Sequence, residues 1–332
     1  MNAPHDDAAT GLSLGLCIPV FNDWESALIL LDRIGAVVET LPHRVEVMFV
    51  DDGSTEPLPT GPRDLPPGLV RVDVLRLRRN LGHQRAIAVA LSYLYVRAQH
   101  DAIIVMDADG EDDPTDIPKL IARFVEADGR PVVFAQRTKR SEGLIFRVGY
   151  VGFKAVHALL VGRSVEVGNF SILPRSALAR LVAAWELWNH YAAAVYHVRL
   201  PIEKVAIARG QRIRGQSKMN VVSLVTHGLS AISVYHDTVS VRTLAFLLGA
   251  AVATLTALGT AIVVRLLTEL AIPGWATSTA GILLVALMNL ALMSMFMVLF
   301  ALRGRSEYTF VPLRDHELFV LDVRALGERT RD

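Results

Sequence analysis

The chain has 332 residues, with 34 Lys plus Arg against 33 Asp plus Glu, a formal charge of +1, and 52% hydrophobic against 20% charged residues. That balance excludes a disordered chain and gives no electrostatic reason to expect nucleic acid as a partner. The single cysteine, Cys17, excludes an intrachain disulfide and a cysteine-based zinc site.

In chain order, residues 1–12 form a polar, acidic tail without the basic-then-apolar pattern of a signal peptide. Short apolar runs at 14–20, 45–50, 70–77, 102–106 and 132–135 predict buried strands. Between them lie helical stripes: Ala27, Leu28, Leu31, Ile34 and Val38; then Ile87, Leu91 and Leu94; then Ile117, Leu120, Ile121 and Phe124. The Pro-rich stretch 57–67 reads as a loop. Alternating strands and helices predict an α/β fold, a mostly parallel sheet with helices on both faces.

Residues 219–237 carry Val222, Val225, Leu229 and Ile232 on one helical face, which predicts an interfacial amphipathic helix. Two stretches without any charged residue follow, 243–264 and 276–302. Both exceed the ~20 residues needed to cross the hydrocarbon of a bilayer as a helix. Asn289, polar in mid-span, is expected to hydrogen-bond the neighbouring helix. The link between the spans is short and contains Pro273-Gly274, so the two should form a hairpin. Arg242, Arg303 and Arg305 flank the hairpin against Arg265 alone in the link, which places the flanks in the cytoplasm, with 303–332 as a cytoplasmic tail. The expected location is the cytoplasmic (inner) membrane, multi-pass, with the soluble part in the cytosol.

Ligands of parallel sheets bind beyond the carboxyl ends of the strands. Asp51-Asp52-Gly53-Ser54 follows the second strand, and Asp107-Ala108-Asp109-Gly110-Glu111-Asp112-Asp113 follows the fourth. No glycine-rich dinucleotide loop and no phosphate-binding P-loop is present. Asp107, Asp109 and Glu111 stand two apart, and an extended backbone would aim all three at one point. Such oxygen donors suit Mg²⁺ or Mn²⁺. Asp112, Asp113 and Asp116 read as the start of a helix, complementing its dipole.

IPVFNDWE at 18–25, FVDDGS at 49–54, RRNLGHQRA at 78–86 and MDADGEDDP at 106–114 occur in an order and spacing that resemble the family 2 glycosyltransferases of GT-A fold. That resemblance runs through Lys218, and within the family the chain resembles bacterial polyprenyl-phosphate glycosyltransferases related to dolichol-phosphate mannose synthase. It implies an inverting, metal-dependent hexosyltransferase with a catalytic domain at 13–218, a nucleotide-sugar donor and a polyprenyl (undecaprenyl-type) phosphate acceptor, working on a membrane, alone or as a homo-oligomer.

By the same resemblance, Pro19, Phe21 and Glu25 hold the base and ribose, and Asp52 contacts the nucleoside. Asp107 and Asp109 hold the metal and sugar diphosphate, with Glu111 where the family often has Gln. Arg137, Arg140 and Ser141 would grip the acceptor phosphate, joined by Ser217 and Lys218 of a G-x-S-K-like segment. His83, Gln84 and Arg85 replace a variable K-E-A-type sequence; a cap or a phosphate contact fits them, Arg85 on the donor side. At 169 the family usually has an aspartate that is a candidate base; Asn169 cannot accept a proton, and Glu166 is the nearest substitute. Two other readings stay open: a family 2 enzyme with another glycolipid or polysaccharide acceptor, although no Q-x-x-R-W motif is present, and a non-catalytic membrane protein that binds a nucleotide-sugar.

Overall fold

The computed structural model describes residues 11–59, 64–137, 160–162, 167–208, 210–214, 221–268, 272, 274–306 and 310–329. They fall into two compact units. The first draws on Met1–Leu144, Val165–Val234 and Thr309–Asp332, and the second on Ile145–Ser164 and Tyr235–Tyr308.

The first unit is built on one eight-stranded sheet. Its strands are β1 (Ser13–Val20), β2 (Arg44–Asp51), β3 (Leu69–Leu77), β4 (Ala102–Val105), β5 (Val132–Arg137), β6 (Ser171–Pro174), β7 (Ile202–Ile207) and β8 (Val320–Glu328). They lie side by side in the order β7-β5-β6-β4-β1-β2-β3-β8. The central run β4-β1-β2-β3 is parallel, as its apolar composition predicts. β6 pairs antiparallel with both β4 and β5, and β8 pairs antiparallel with β3, so the whole sheet is mixed.

Alternation along the strands supplies two cores. Leu14, Leu16, Ile18 and Val20 of β1 point to the face covered by α1 (Trp24–Val38) and α3 (Ile117–Glu126). Cys17, with Met48 and Val50 of β2, points to the other face. There it meets α2 (His83–Arg97), α4 (Arg175–Val182) and α5 (Tyr191–His197). The predicted stripe of α1 is buried at Ala27, Leu31, Ile34 and Val38, while Leu28 is half-buried and Leu30, outside the predicted stripe, is fully buried.

The segment expected as a cytoplasmic tail is corrected in its described part. Residues 320–328 form β8, in register with β3 from Arg71↔Glu328 to Leu77↔Val320. Leu326 enters the core, and Asp322 meets Arg76 across the strands at 3.0 Å. Asp322, Arg324 and Glu328 made this run look like solvated chain, but an edge strand accommodates charge on its open side. β6 and β7 escaped prediction for a similar reason: each is short, and neither run was long enough to show a period.

Helix α6 (Val221–Ser233) closes the first unit's middle segment. The second unit contains α7 (His236–Leu267) and α8 (Trp275–Ser306), which pack against each other. Both are long and apolar enough to cross a membrane, and almost none of their apolar length is buried. Core helices of soluble proteins hide such faces, and these expose Phe246, Leu266, Ile282 and Phe300. Asn289 departs from expectation: its amide donates to Val285 O of its own helix at 3.0 Å. An intrahelical carbonyl one turn back is always within reach, which a partner helix need not be.

Because Leu326 is buried in the sheet core, Leu326→Ala should cost about 2 kcal/mol and lower the melting temperature of the detergent-solubilised protein. The half-exposed Leu321 of the same strand should tolerate alanine, so equal melting of the two variants would remove β8 from the sheet.

Candidate active site

The strand order turns back between β1 and β4: β2 and β3 extend from β1 on one side, while β4 extends from it on the other. Loops leaving the carboxyl ends of neighbouring strands diverge at such a point and open a crevice. Phe21, Asn22 and Asp23 follow β1, Asp52 follows β2, and Asp107 lies just past β4.

The loops after β1 and β2 are tied together. Asn22 donates its backbone N–H to Ser54 Oγ at 3.0 Å and accepts from the backbone N–H of Thr55 and Glu56 at 2.8 and 3.2 Å. Asp52 is almost completely buried, and both carboxylate oxygens face inward. Oδ1 accepts from Leu81 N at 2.7 Å and Oδ2 from Gly82 N at 2.9 Å. Burial pushes its pKa up to about 6, against the opposing pull of those two N–H groups. Asp52 thus holds the residues that start α2. Gly82, at φ +87°, is the N-cap position of that helix, a backbone state that L-residues rarely adopt.

The other residues assigned to the nucleoside divide by exposure. Pro19 is buried within β1, whereas Phe21 is 45% exposed at its end. Glu25 is exposed on the first turn of α1 and pairs with Arg214 at 2.6 Å. Arg85 is exposed, its guanidinium 5.2 Å from the ring centre of Trp188, which packs against Phe310 and Phe319.

The loop after β4 does not stay extended, so the aspartates and Glu111 do not alternate toward one point. The chain turns at Gly110, φ +82°, and Asp109 Oδ1 accepts from Glu111 N at 2.9 Å. Residues 210–214 lie across this turn. Gly210 N donates to Glu111 O and Ile213 N to Asp109 O, both at 2.9 Å, while Arg212 reaches Asp109 Oδ2 at 2.5 Å. A Cβ on Gly110 would fall 2.5 Å from Ile213 Cγ1.

Asp112 is the residue that sequence reasoning placed wrongly. It is buried, its Oδ2 accepts from Asp107 N at 3.0 Å and its Oδ1 meets Arg137 at 2.9 Å. Asp113 is the residue that caps the following turn, accepting from Thr115 N, and Asp116 pairs with Lys119. Nothing in the run DGEDD distinguishes a buried carboxylate from a capping one. Arg137 also reaches Glu111 at 3.2 Å, so the guanidinium clasps the acidic loop from β5.

Asp107 faces His83, with Oδ1 3.1 Å from the ring Nε2. Burial acts to raise its pKa, but the His83 ring and then Arg137 outweigh it and hold the carboxyl below its usual range. Asp112 is pushed the other way by burial and by the Asp107 charge, against Arg137. Asn169, buried beside α2, sits 2.9 Å from His83 Nε2 and accepts from Gln84 Nε2 at 3.1 Å through its Oδ1. Arg140, Ser141, Glu166, Ser217 and Lys218 lie outside the described residues.

Among the described residues no three His, Cys, Asp or Glu side chains gather in a metal-holding group. Asp107 and Asp109 nonetheless suit Mg²⁺ or Mn²⁺, because small hard cations are commonly held by one or two carboxylates plus water and substrate phosphate oxygens. Glu111 is turned to Arg137 and does not complete a triad.

The model of glycosyl transferase family 2 matches residues 16–182 of this chain. A dodecaprenyl-phosphate galacturonate synthase of Rhizobium johnstonii is 28% identical over 232 residues, 65% of this chain and 64% of that protein. A bactoprenol glucosyl transferase of Shigella phage SfV is 26% identical over 230 residues, 68% of this chain and 73% of its own length. The match therefore spans about two thirds of these relatives. Among solved structures, a mannosyltransferase from Pyrobaculum calidifontis in complex with GDP-Man and Mn²⁺ aligns with TM-score 0.40 and 16% identity, over 88% of this chain and 90% of that one.

Gly110→Ala combines a positive φ with a steric clash and should destabilise the loop by about 2 kcal/mol. The expected reading is faster tryptic cleavage at Arg212 and Arg214. Gly168→Ala, where an added Cβ meets open space, is the control and should be cut at the parent's rate.

Proposed function

The chain belongs to glycosyl transferase family 2, and on that premise we propose that it moves a sugar from a nucleoside-diphosphate sugar to a polyprenyl phosphate at a membrane surface. The observation that carries this reading is the loop after β4, which places Asp107 and Asp109 where the strand order reverses, with Arg212 on Asp109 and Arg137 on the neighbouring Glu111 and Asp112. Acids there suit a cation and arginines suit phosphates. The nature of the acceptor is supported by the relatives, whose names specify dodecaprenyl phosphate and bactoprenol.

In the proposed reaction an oxygen of the lipid phosphate attacks the anomeric carbon. The new C–O bond forms as the bond from that carbon to the diphosphate breaks, with inversion, and the nucleoside diphosphate departs. Asp107 and Asp109 would hold Mg²⁺ or Mn²⁺, which supplies positive charge for the departing diphosphate. Arg212 contributes from the crossing segment 210–214: its guanidinium can exchange Asp109 for a diphosphate oxygen. Arg137 can release the more exposed Glu111 and offer that side of its fork to a phosphate while the other side keeps the buried Asp112.

No proton acceptor is needed for this chemistry. A phosphate monoester with a second pKa near ~6 is already largely an anionic nucleophile at neutral pH. Asn169 in place of an acid is therefore compatible with the reaction, whereas an alcohol acceptor would need a base.

The apolar helices α7 and α8 serve as the anchor. The chain leaves the first unit after Val234 and re-enters it at Thr309, so two spans closed in this way put both flanks on one membrane face. Arg242 and the arginines at 303 and 305 make that the cytoplasmic face. Anchoring raises the local concentration of the lipid acceptor rather than altering the chemistry.

Incubation of the protein in membranes with undecaprenyl phosphate and a panel of nucleotide-sugars, followed by mass spectrometry of the lipid, should reveal one glycosylated product. Asp109→Asn should reduce it on the order of hundredfold without loss of membrane insertion. Arg137→Ala should raise the KM for the lipid more than that for the donor. Transfer unaffected by Asp109→Asn would overturn the metal assignment, and a defect confined to the donor would overturn the acceptor role of Arg137.

A further inference from the structure

Between 280 and 302 helix α8 carries only two polar side chains, Ser294 and Asn289. Asn289 stands at the midpoint of the charge-free stretch 276–302. At ~1.5 Å of rise per residue, about 20 Å of helix separates it from either end, more than half of the ~30 Å hydrocarbon thickness. A side chain as short as asparagine's does not reach the headgroups from there.

Helix α7 does not cover Asn289. The better-covered positions of α8, Leu283, Leu287, Leu290, Ser294 and Met297, recur every three or four residues and mark the side turned to α7. Asn289 is exposed on another side, with Ile282, Val285, Leu292 and Phe296, which are 70%, 58%, 48% and 56% exposed. A carbonyl only accepts, so the Asn289 atom 3.0 Å from Val285 O is its nitrogen. That bond uses one of the two N–H groups. Among the described residues the second N–H and Oδ1 have no hydrogen-bond partner.

The threonines of α7 show the contrast. Thr254, Thr256 and Thr260 each give their only hydroxyl proton to a carbonyl one turn back, at 2.8, 2.9 and 2.9 Å. A hydroxyl that has given its proton in this way can face lipid. The carboxamide has a donor and an acceptor left over, and in hydrocarbon neither meets water.

We propose that the Asn289 face of α8 is where a second copy of this chain docks within the membrane, the two carboxamides bonding each other. Copies inserted by the same route share one orientation, so a two-fold axis relating them runs along the membrane normal and sets residue 289 opposite its counterpart at equal depth. There the carboxamide is its own complement: each oxygen accepts the N–H that the other side chain has left, which closes two hydrogen bonds at once. A helix of another protein would need a polar group at that depth, whereas the second copy brings one by symmetry. Ile282, Val285, Asn289, Leu292, Phe296 and Leu299 alternate spacings of three and four, the a and d positions of a parallel helix pair, with Asn289 at a. A single polar residue at such a position fixes register and partner number. The proposal rests on the reading of α7 and α8 as membrane spans and is independent of the transfer reaction.

Oxidative cross-linking of the purified full-length protein, diluted into liposomes, tests the face. The parent should give no covalent dimer, because Cys17 is buried. Val285→Cys, one turn from Asn289, should give one. Leu284→Cys should give at least about fivefold less, since that residue is 52% exposed but lies about 140° round the helix from Asn289. In the Val285→Cys background, Asn289→Leu should reduce the dimer about tenfold, and Asn289→Gln, which keeps a donor and an acceptor, should restore it to within about threefold. Both variants should resist extraction by alkaline carbonate as the parent does.

Equal cross-linking at 284 and 285, a dimer indifferent to Asn289→Leu, or no dimer with Val285→Cys would each overturn the proposal. So would Val285→Cys joined in cell membranes to a different protein and not to itself. A parent released by alkaline carbonate would overturn the anchor and this proposal with it. A parent that dimerises as expected but transfers no sugar would overturn the proposed reaction alone.

Discussion

A carboxylate removed from water must be met by donors, and much of the architecture at the carboxyl end of the sheet follows from that requirement. Asp52 and Asp112 are each 2% exposed. Asp52 is met by two backbone N–H groups, and to supply them the chain after β3 must come back to β2 and begin α2 there. Asp112 is met by Asp107 N and by Arg137, which ties the loop after β4 to the end of β5. The loops beside the crevice are therefore defined by the acids that they surround.

The same requirement explains why so many cations stand close by, each held by a carboxylate. Arg137 bridges Glu111 and Asp112, Arg212 reaches Asp109, and Arg214 reaches Glu25. These contacts grade from buried to exposed. The Asp112 pair is enclosed, and breaking it would strand a buried charge. The Glu25 pair is open to solvent, where an ion pair contributes little to stability and exchanges easily. A diphosphate or phosphate ligand would compete first for the exposed guanidinium contacts. A site of this kind can carry its own counter-ions and still admit an anion.

Segments remote in sequence complete the site. Residues 210–214 cross the 109–111 turn, and Asn169, just before β6, reaches the His83 ring that faces Asp107. β8 closes the edge of the sheet beside β3 after the chain has passed through two apolar helices. The last residues of the chain thus stabilise the first strands, and Leu326 sits in the same core as Leu14 and Val74.

Strong local periodicity settled five strands, three amphipathic helices, two long apolar helices and the acidic character of the loops after β2 and β4, because each is encoded by the spacing of neighbouring residues. Order and spacing of four motifs also indicated the family. The tertiary structure decided what local spacing cannot express. It decided that the loop after β4 turns at Gly110 rather than extending, that Asp112 is buried while Asp113 caps, and that Arg212 covers Asp109. It also made a strand of 320–328. In every one of these cases the partner lies far along the chain or the deciding factor is exclusion from water, and both arise only when distant segments pack together.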